Sequence, residues 1–366
     1  MRNKLSSILF LLILFSITIT SLALPDRVYS EQEKRNLTQW EDITGDNFSI
    51  HTLSDDLEKY LTDRMPGRDR MVTAKTLVDI AMGQKQINHV YIGKDHYLLD
   101  VFDSYDEKEF EKNLKELKKL QKKLSKKNIA NQVILVPSAE EILDTKLPDY
   151  AQNGLQESLL DEAGKKLENV VDIRDVLKEH KGEYIYYRTD HHWTSLGAYY
   201  AYVQWKKALG QEAAPLSDWK REVLCRNFQG TTWNKVGIPG KAYQDTITAF
   251  YHKKNREVVY NDGAYVNNCI YEKSYLEGRD KYGVFFNSNQ ILTKIEGGAK
   301  SGKLLIVKDS YANTFAQFAI DDYAEVQMID MRFYRGDLYS YIKDNDFTDV
   351  LFLYGCSGFV TEEKRF

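Results

Sequence analysis

The chain has 366 residues, 43% hydrophobic and 28% charged, enough apolar length for one large core or two medium ones, which sets it apart from disordered chains. Its net charge of -4 offers no basic field, and no Lys/Arg stripe interleaved with aromatics occurs, so nucleic acid is excluded as a partner. Cys225, Cys269 and Cys356 are odd in number, widely spaced and free of any CxxC pair, which excludes a zinc ribbon or thioredoxin motif and argues against a disulfide framework.

Arg2 and Lys4 precede an uncharged run from Leu5 to Leu24, and a polar chain follows. This reads as a secretion signal, residues 1–24, either a cleaved peptide or a membrane anchor, the anchor being preferred. Everything after about Pro25 is then expected to lie outside the cytoplasm, anchored to the cell membrane or secreted. Residues 25–89 read as an extension packing on the core: a polar stretch with Trp40 and Phe48, a helix near Ser54–Leu61 broken by Pro66-Gly67, and a helix over Asp69–Gly83.

The main domain is expected over 90–366. Val90–Leu99 reads as a hairpin around Gly93-Lys-Asp95. Glu107–Lys127 is an amphipathic helix with Phe110, Leu114, Leu117 and Leu124 on one face and lysines opposite. Asn131–Val136 and Val170–Ile173 read as buried strands, with helices at 154–168 and 174–180. Tyr184–Tyr187 is an extended approach, and Leu196–Leu209 a helix capped by Thr194 or Ser195. Residues 211–280 lack clear periodicity and read as an irregular, substrate-side insertion. Tyr282–Phe286 reads as a strand. Lys303–Val307 is the clearest buried parallel strand, its exit Lys308-Asp309-Ser310-Tyr311 leading into a helix over 312–320. Strands at 324–329 and 350–354 flank a helix at 334–343. The alternation predicts a three-layer α/β/α fold with a mostly parallel sheet.

The chemistry concentrates in Asp190-His-His-Trp193, on a loop between an extended run and a helix start, where rigid scaffolds present reactive groups. Asp190 and His192 are two apart, so in an extended loop both point to one side while His191 points away. A serine hydroxyl needs a base to take its proton, and the base needs an orienting acid on its other nitrogen. Ser310, His192 and Asp190 can fill those roles, with the Ser310 N–H and Asn289 receiving an oxyanion. The alternatives are a helix-capping Asp190, a buried structural His192 and an N-cap Ser310. A metal site fits poorly, because adjacent histidines diverge and no HxxxH or HxH partner occurs. The 25 Tyr and 16 Phe suit either a carbohydrate groove or an aromatic core.

Thr189-Asp-His-His-Trp-Thr194, followed by Gly197-Ala-Tyr199, resembles the signature of the DHHW protein family, which is similar to the SGNH-hydrolase-like domains of the alginate O-acetylation proteins AlgJ and AlgX. Glu33–Leu37, Asp63–Arg68, the Lys308–Tyr311 turn and Ile329–Arg332 fit the same pattern. The resemblance implies a permuted SGNH-like fold with the Asp/His block ahead of the Ser block. It further implies an extracytoplasmic O-acetyltransferase that carries acetyl on Ser310 to hydroxyls of a cell-surface or exported polysaccharide. A multipass membrane acyltransferase would supply the acetyl group, and no cofactor or metal is expected. Asn289, Tyr311, Arg332 and Trp193 are the expected substrate-side or oxyanion residues; the family tends to have Gly-Asn where this chain has Ser288-Asn289. An acetylesterase would use the same triad, and a glycan-binding scaffold with a decayed site is the non-enzymatic reading.

Overall fold

A computed structural model describes residues 2–23, 25, 27–30, 35–44, 52–361 and 366. Leu24, Phe48 and the start of the Glu33–Leu37 piece lie outside them. The chain divides into two compact units, one of residues 1–88 with 233–239, the other of 89–232 with 240–366.

In the first unit α1 (Arg2–Ala23) covers the apolar run read as a signal. Among the described residues no helix is long and apolar enough to cross a membrane. Two further helices, α2 (Leu53–Asp63) and α3 (Arg68–Ala81), meet at Gly67, whose φ of 70° supplies the left-handed turn that Pro66-Gly67 announces. Asp63, buried at the end of α2, accepts from Thr38 N–H at 2.9 Å and pairs with Arg68 at 3.6 Å. Two side chains tie residues 233–239 into this unit: Thr76 Oγ1 donates to Val236 O and Asn88 Nδ2 to Lys235 O, each at 2.8 Å.

The second unit opens with the antiparallel pair β1 (Val90–Ile92) and β2 (Leu98–Asp100). Asp106 caps the helix α4 (Glu107–Ser125) by accepting from Lys108 and Glu109 N–H, satisfying donors that have no partner inside the helix. Its apolar stripe, Phe110, Leu114, Leu117, Leu120 and Leu124, is buried as the spacing predicts. Then come β3 (Ala130–Val136), α5 (Leu155–Lys166), α6 (Arg174–Glu179), α7 (Ser195–Ala208), β4 (Lys220–Phe228), β5 (Asp245–Tyr251), β6 (Val258–Tyr260), β7 (Tyr265–Asn267) and β8 (Leu292–Glu296). The chain ends with β9 (Lys303–Lys308), α8 (Ala312–Ala319), β10 (Glu325–Asp330), α9 (Leu338–Asp344), β11 (Asp349–Gly355) and α10 (Cys356–Thr361).

Seven strands form one sheet in the order β7-β6-β8-β10-β9-β11-β3. The half from β10 to β3 is parallel, and β7, β6 and β8 join antiparallel, so the sheet is mixed rather than mostly parallel. Strand periodicity divides the core in two. Ile134, Leu304, Ile306, Met328 and Leu353 face a cluster containing α7 and α8, while Val133, Leu305, Val307, Ile329 and Phe352 face one containing α4 and α5. Each such side chain, fully buried, contributes about 1.5–3 kcal/mol. That makes the parallel half a rigid base for the loops at its carboxyl edge.

Three local expectations are corrected. Val170–Ile173 is not a strand; Val170 forms only an isolated bridge to Val133. Tyr282–Phe286 is not one either, because residues 281–284 coil as a 3-10 turn and Phe286, Asn287 and Ser288 all take positive φ, which no β-ladder accommodates. The 211–280 insertion is more regular than expected: β4 and β5 pair antiparallel with register shifts near Cys225, and β6 and β7 extend the main sheet.

Candidate active site

The loop from Arg188 to Trp193 is held at its start by Asp245, a fully buried carboxylate absent from the sequence reading. Asp245 accepts from Arg188 N–H at 3.0 Å, Thr189 N–H at 2.8 Å and the Thr189 hydroxyl at 2.5 Å. At its end the loop is closed by Tyr187 N–H to His192 O and Thr194 N–H to Ile185 O, and Thr194 then caps α7. Between these ties the chain bends rather than running extended, and Asp190 Oδ1 accepts from His192 N–H at 3.1 Å, a local turn that brings the carboxylate to the His192 ring.

His192 Nδ1 lies 2.6 Å from Asp190 Oδ1, and His192 Nε2 lies 2.7 Å from Ser310 Oγ. The carboxylate can only accept, so Nδ1 carries the proton and Nε2 accepts from the serine hydroxyl. The second Asp190 oxygen accepts from Thr231 N–H at 2.8 Å and from the Thr231 hydroxyl at 3.1 Å. Gly230 leaves room for that carboxylate: a Cβ there would fall 2.2 Å from Asp190 Cβ. His191 does not diverge as expected: the bend brings its ring to 3.8 Å from the His192 ring, and its Nδ1 lies 2.7 Å from Thr231 Oγ1.

Ser310 leaves the carboxyl end of β9 on a turn built by Asp309, which accepts from Tyr311 N–H at 2.9 Å and Gly355 N–H at 2.7 Å. Two bonds run in opposite directions between this turn and the histidine loop: Trp193 Nε1 donates to Tyr311 O at 3.0 Å, and Tyr311 Oη donates to His191 O at 2.5 Å. The Tyr282 ring stacks on the His192 imidazole at 3.9 Å and 6°, and its hydroxyl donates to Ser310 O at 3.1 Å. Base and serine are thus each held from two sides.

Burial would raise the Asp190 carboxyl, but the imidazoles of His192 and His191 and the Thr231 N–H outweigh it and hold it well below the usual carboxylate range. Burial lowers His192, the neighbouring His191 lowers it further, and Asp190 only partly opposes them, leaving His192 at about 4. At neutral pH Asp190 is charged and His192 neutral, the protonation state in which Nε2 can take a proton.

Asn289, half-buried, meets the buried side chains of Lys308 and Asn313. Its Oδ1 accepts from Lys308 Nζ and Asn313 Nδ2, each at 3.4 Å, so those bonds leave its two N–H groups uncommitted. Arg332 clasps Asp330 with bonds of 2.9 and 2.6 Å. Trp193 is fully buried and Tyr311 nearly so, and their bonds hold the two loops together. The ligand atoms of Asp190, His191 and His192 lie within 4.8 Å of one another, close enough for a cation. Both His192 nitrogens and His191 Nδ1 are already engaged, so this donor set suits proton relay better than metal ligation. The sequence reading missed Asp245, Gly230, Thr231, Tyr282 and the Asp309 contacts. Of these, Asp309 lies in the Lys308–Tyr311 turn and Tyr282 in the Tyr282–Phe286 run, yet neither sequence pattern points to the contact it makes.

Fold and site together define an α/β protein with an aspartate–histidine–serine relay at the carboxyl edge of a mixed sheet. Residues 156–329 match the DHHW protein family, which bears out the resemblance carried by Thr189–Thr194. A DHHW family protein from Eubacterium siraeum is 26% identical, with a TM-score of 0.66 over 76% of this chain and 94% of that one. PatB1 of Bacillus cereus shares the fold at 22% identity and a TM-score of 0.64, covering 74% of this chain and 97% of its own. The O-acetyltransferase domain of Pseudomonas putida AlgJ is a more distant likeness, 13% identical with a TM-score of 0.48 over 75% of this chain and 93% of that domain. No curated protein matches the sequence.

Proposed function

We propose that this chain is an extracytoplasmic O-acetyltransferase that moves an acetyl group through an acyl-serine at Ser310 to hydroxyls of a cell-surface or exported polysaccharide. The single observation that carries this reading is the unbroken relay Asp190–His192–Ser310, with bonds of 2.6 and 2.7 Å and a neutral central imidazole. His192 Nε2 takes the Ser310 proton as Oγ attacks the acetyl carbonyl carbon, and Asp190 stabilises the imidazolium that results. The tetrahedral oxyanion is received by the Ser310 N–H and the Asn289 amide. Collapse breaks the bond to the leaving group, which departs with the proton from His192 Nε2. A sugar hydroxyl then repeats the sequence on the acyl-serine, giving its proton to His192 and regenerating Ser310.

The compartment in this reading rests on taking the apolar N-terminal run, Leu5 to Leu24, as a secretion signal. Because acetyl-CoA is cytoplasmic, the acetyl group must then be handed across by a multipass membrane acyltransferase. An acyl-serine is also open to water, so an esterase would share every step but the last. The test is to incubate the protein with p-nitrophenyl acetate, map the adduct by mass spectrometry, and add candidate polysaccharides. Acetyl on Ser310 followed by acetyl on glycan supports the transferase; release only as acetate assigns an esterase. An adduct elsewhere than Ser310 rejects the reading.

A further inference from the structure

Against Asn289, the proposed oxyanion donor, lies a cationic group that the relay does not use. Lys308, the last residue of β9, is 1% exposed, and its ammonium stands 3.7 Å from Asp330 Oδ2 and 3.4 Å from Asn289 Oδ1. Asp330 is itself fully buried and held by Arg332. A lysine taken wholly out of water is costly, and Asp330 with Arg332 across it leaves it only partly compensated. The charged groups acting on it are Asp330, Arg332 and, next to it in the turn after β9, Asp309.

We propose that Lys308 is a positioning residue that holds and polarises the Asn289 amide as an oxyanion donor, an assignment that rests on the acyl-serine reading of Ser310. An amide whose oxygen accepts from a buried ammonium has a fixed orientation, with its N–H groups turned to the free side, and more acidic N–H protons. Asn313 Nδ2, on the same oxygen, completes the clamp. The device therefore acts on the transition state, where negative charge develops, and not on substrate binding. Burial holds Lys308 down at about 8, with Asp330 opposing and Arg332 reinforcing the fall, so the ammonium is present below that pH and lost above it.

The test is the rate of Ser310 acetylation by p-nitrophenyl acetate as a function of pH, on the full chain, for the parent protein, Asn289→Ala, Lys308→Met and the double variant. Lys308→Met should lower kcat about 10²-fold with little change in KM. The double variant should be no slower than Asn289→Ala alone. The parent should lose rate above about pH 8, and Asn289→Ala should lack that alkaline limb. Losses that multiply in the double variant, or a limb that survives in Asn289→Ala, overturn the inference while leaving the acyl-serine intact. If Lys308→Met fails to fold, the comparison of the parent with Asn289→Ala still decides. No acetyl on Ser310 in the parent at any pH would overturn the acyl-serine reading itself.

Discussion

Replacing Gly230 with alanine tests the relay through one methyl group that never touches Ser310. Gly230 does not occupy the left-handed region, so the change probes space alone. The new Cβ would fall 2.2 Å from Asp190 Cβ and 2.3 Å from Asp190 Oδ2, where ordinary contact begins at 3.4 Å. The carboxylate must retreat by roughly 1 Å, a misplacement that costs about 10²-fold in rate. It would also loosen the 2.8 Å bond from Thr231 N–H, so the acid loses its fixed direction as well as its place. The assay is burst acetylation by p-nitrophenyl acetate beside thermal unfolding. The expected result is kcat about 10²-fold down in a protein that still melts cooperatively, with Asp190→Ala lower again, about 10⁴-fold. A Gly230→Ala protein that acetylates at the parent rate would refute the claim that Asp190 orients the base.

Three further outcomes are expected. His192→Ala should abolish turnover, about 10⁴-fold or more, while His191→Ala should cost less than about 10-fold, since His191 bonds Thr231 rather than Ser310; steady-state rates of both variants decide, and a reversed order would mean His191 is the base. The base must be neutral, so activity should hold below the ordinary imidazole value near 6.5 and fall only as pH approaches about 4; a pH–rate profile of kcat with its acid limb at 6.5 or above contradicts the burial argument. Tyr282→Phe should keep the 3.9 Å stack on His192 and most activity, whereas Tyr282→Ala should destabilise the fold by about 3–5 kcal/mol and slow acylation, read by chemical denaturation and burst rate.

Legibility differed by kind of signal. β9 and α4 could be read because their patterns, Leu304 to Val307 and Phe110 to Leu124, are dictated by local burial. The pairing of Asp190 with His192 was expected from an extended loop but is made by a bend in which Asp190 accepts from His192 N–H, whereas the turn at Ser310 followed from a strand meeting a helix. The antiparallel half was hidden because Leu292–Glu296 is short and only alternates, and nothing in its own residues says which neighbour it pairs with. Tyr282–Phe286 carried strand-forming residues, yet three consecutive positive φ values beginning at Phe286 turn the chain back, a tertiary outcome that propensity does not encode. Asp245 and Thr231 were invisible because each acts through contacts 41 to 57 residues away in sequence.

The paired bonds between Trp193, Tyr311 and the His191 carbonyl join segments 118 and 120 residues apart. Closing a loop of that length costs about 4 kcal/mol of chain entropy before either bond returns anything. Both bonds share the same long loop, so the closure cost is met once for the pair, and contacts of such sequence separation are expected to form late. A chain still being synthesised has no Tyr311 to offer until most of its length has emerged, and its imidazole and hydroxyl stay apart until then. The two halves of the centre therefore come into register only once residues 191–193 and 310–311 have both been made and folded together.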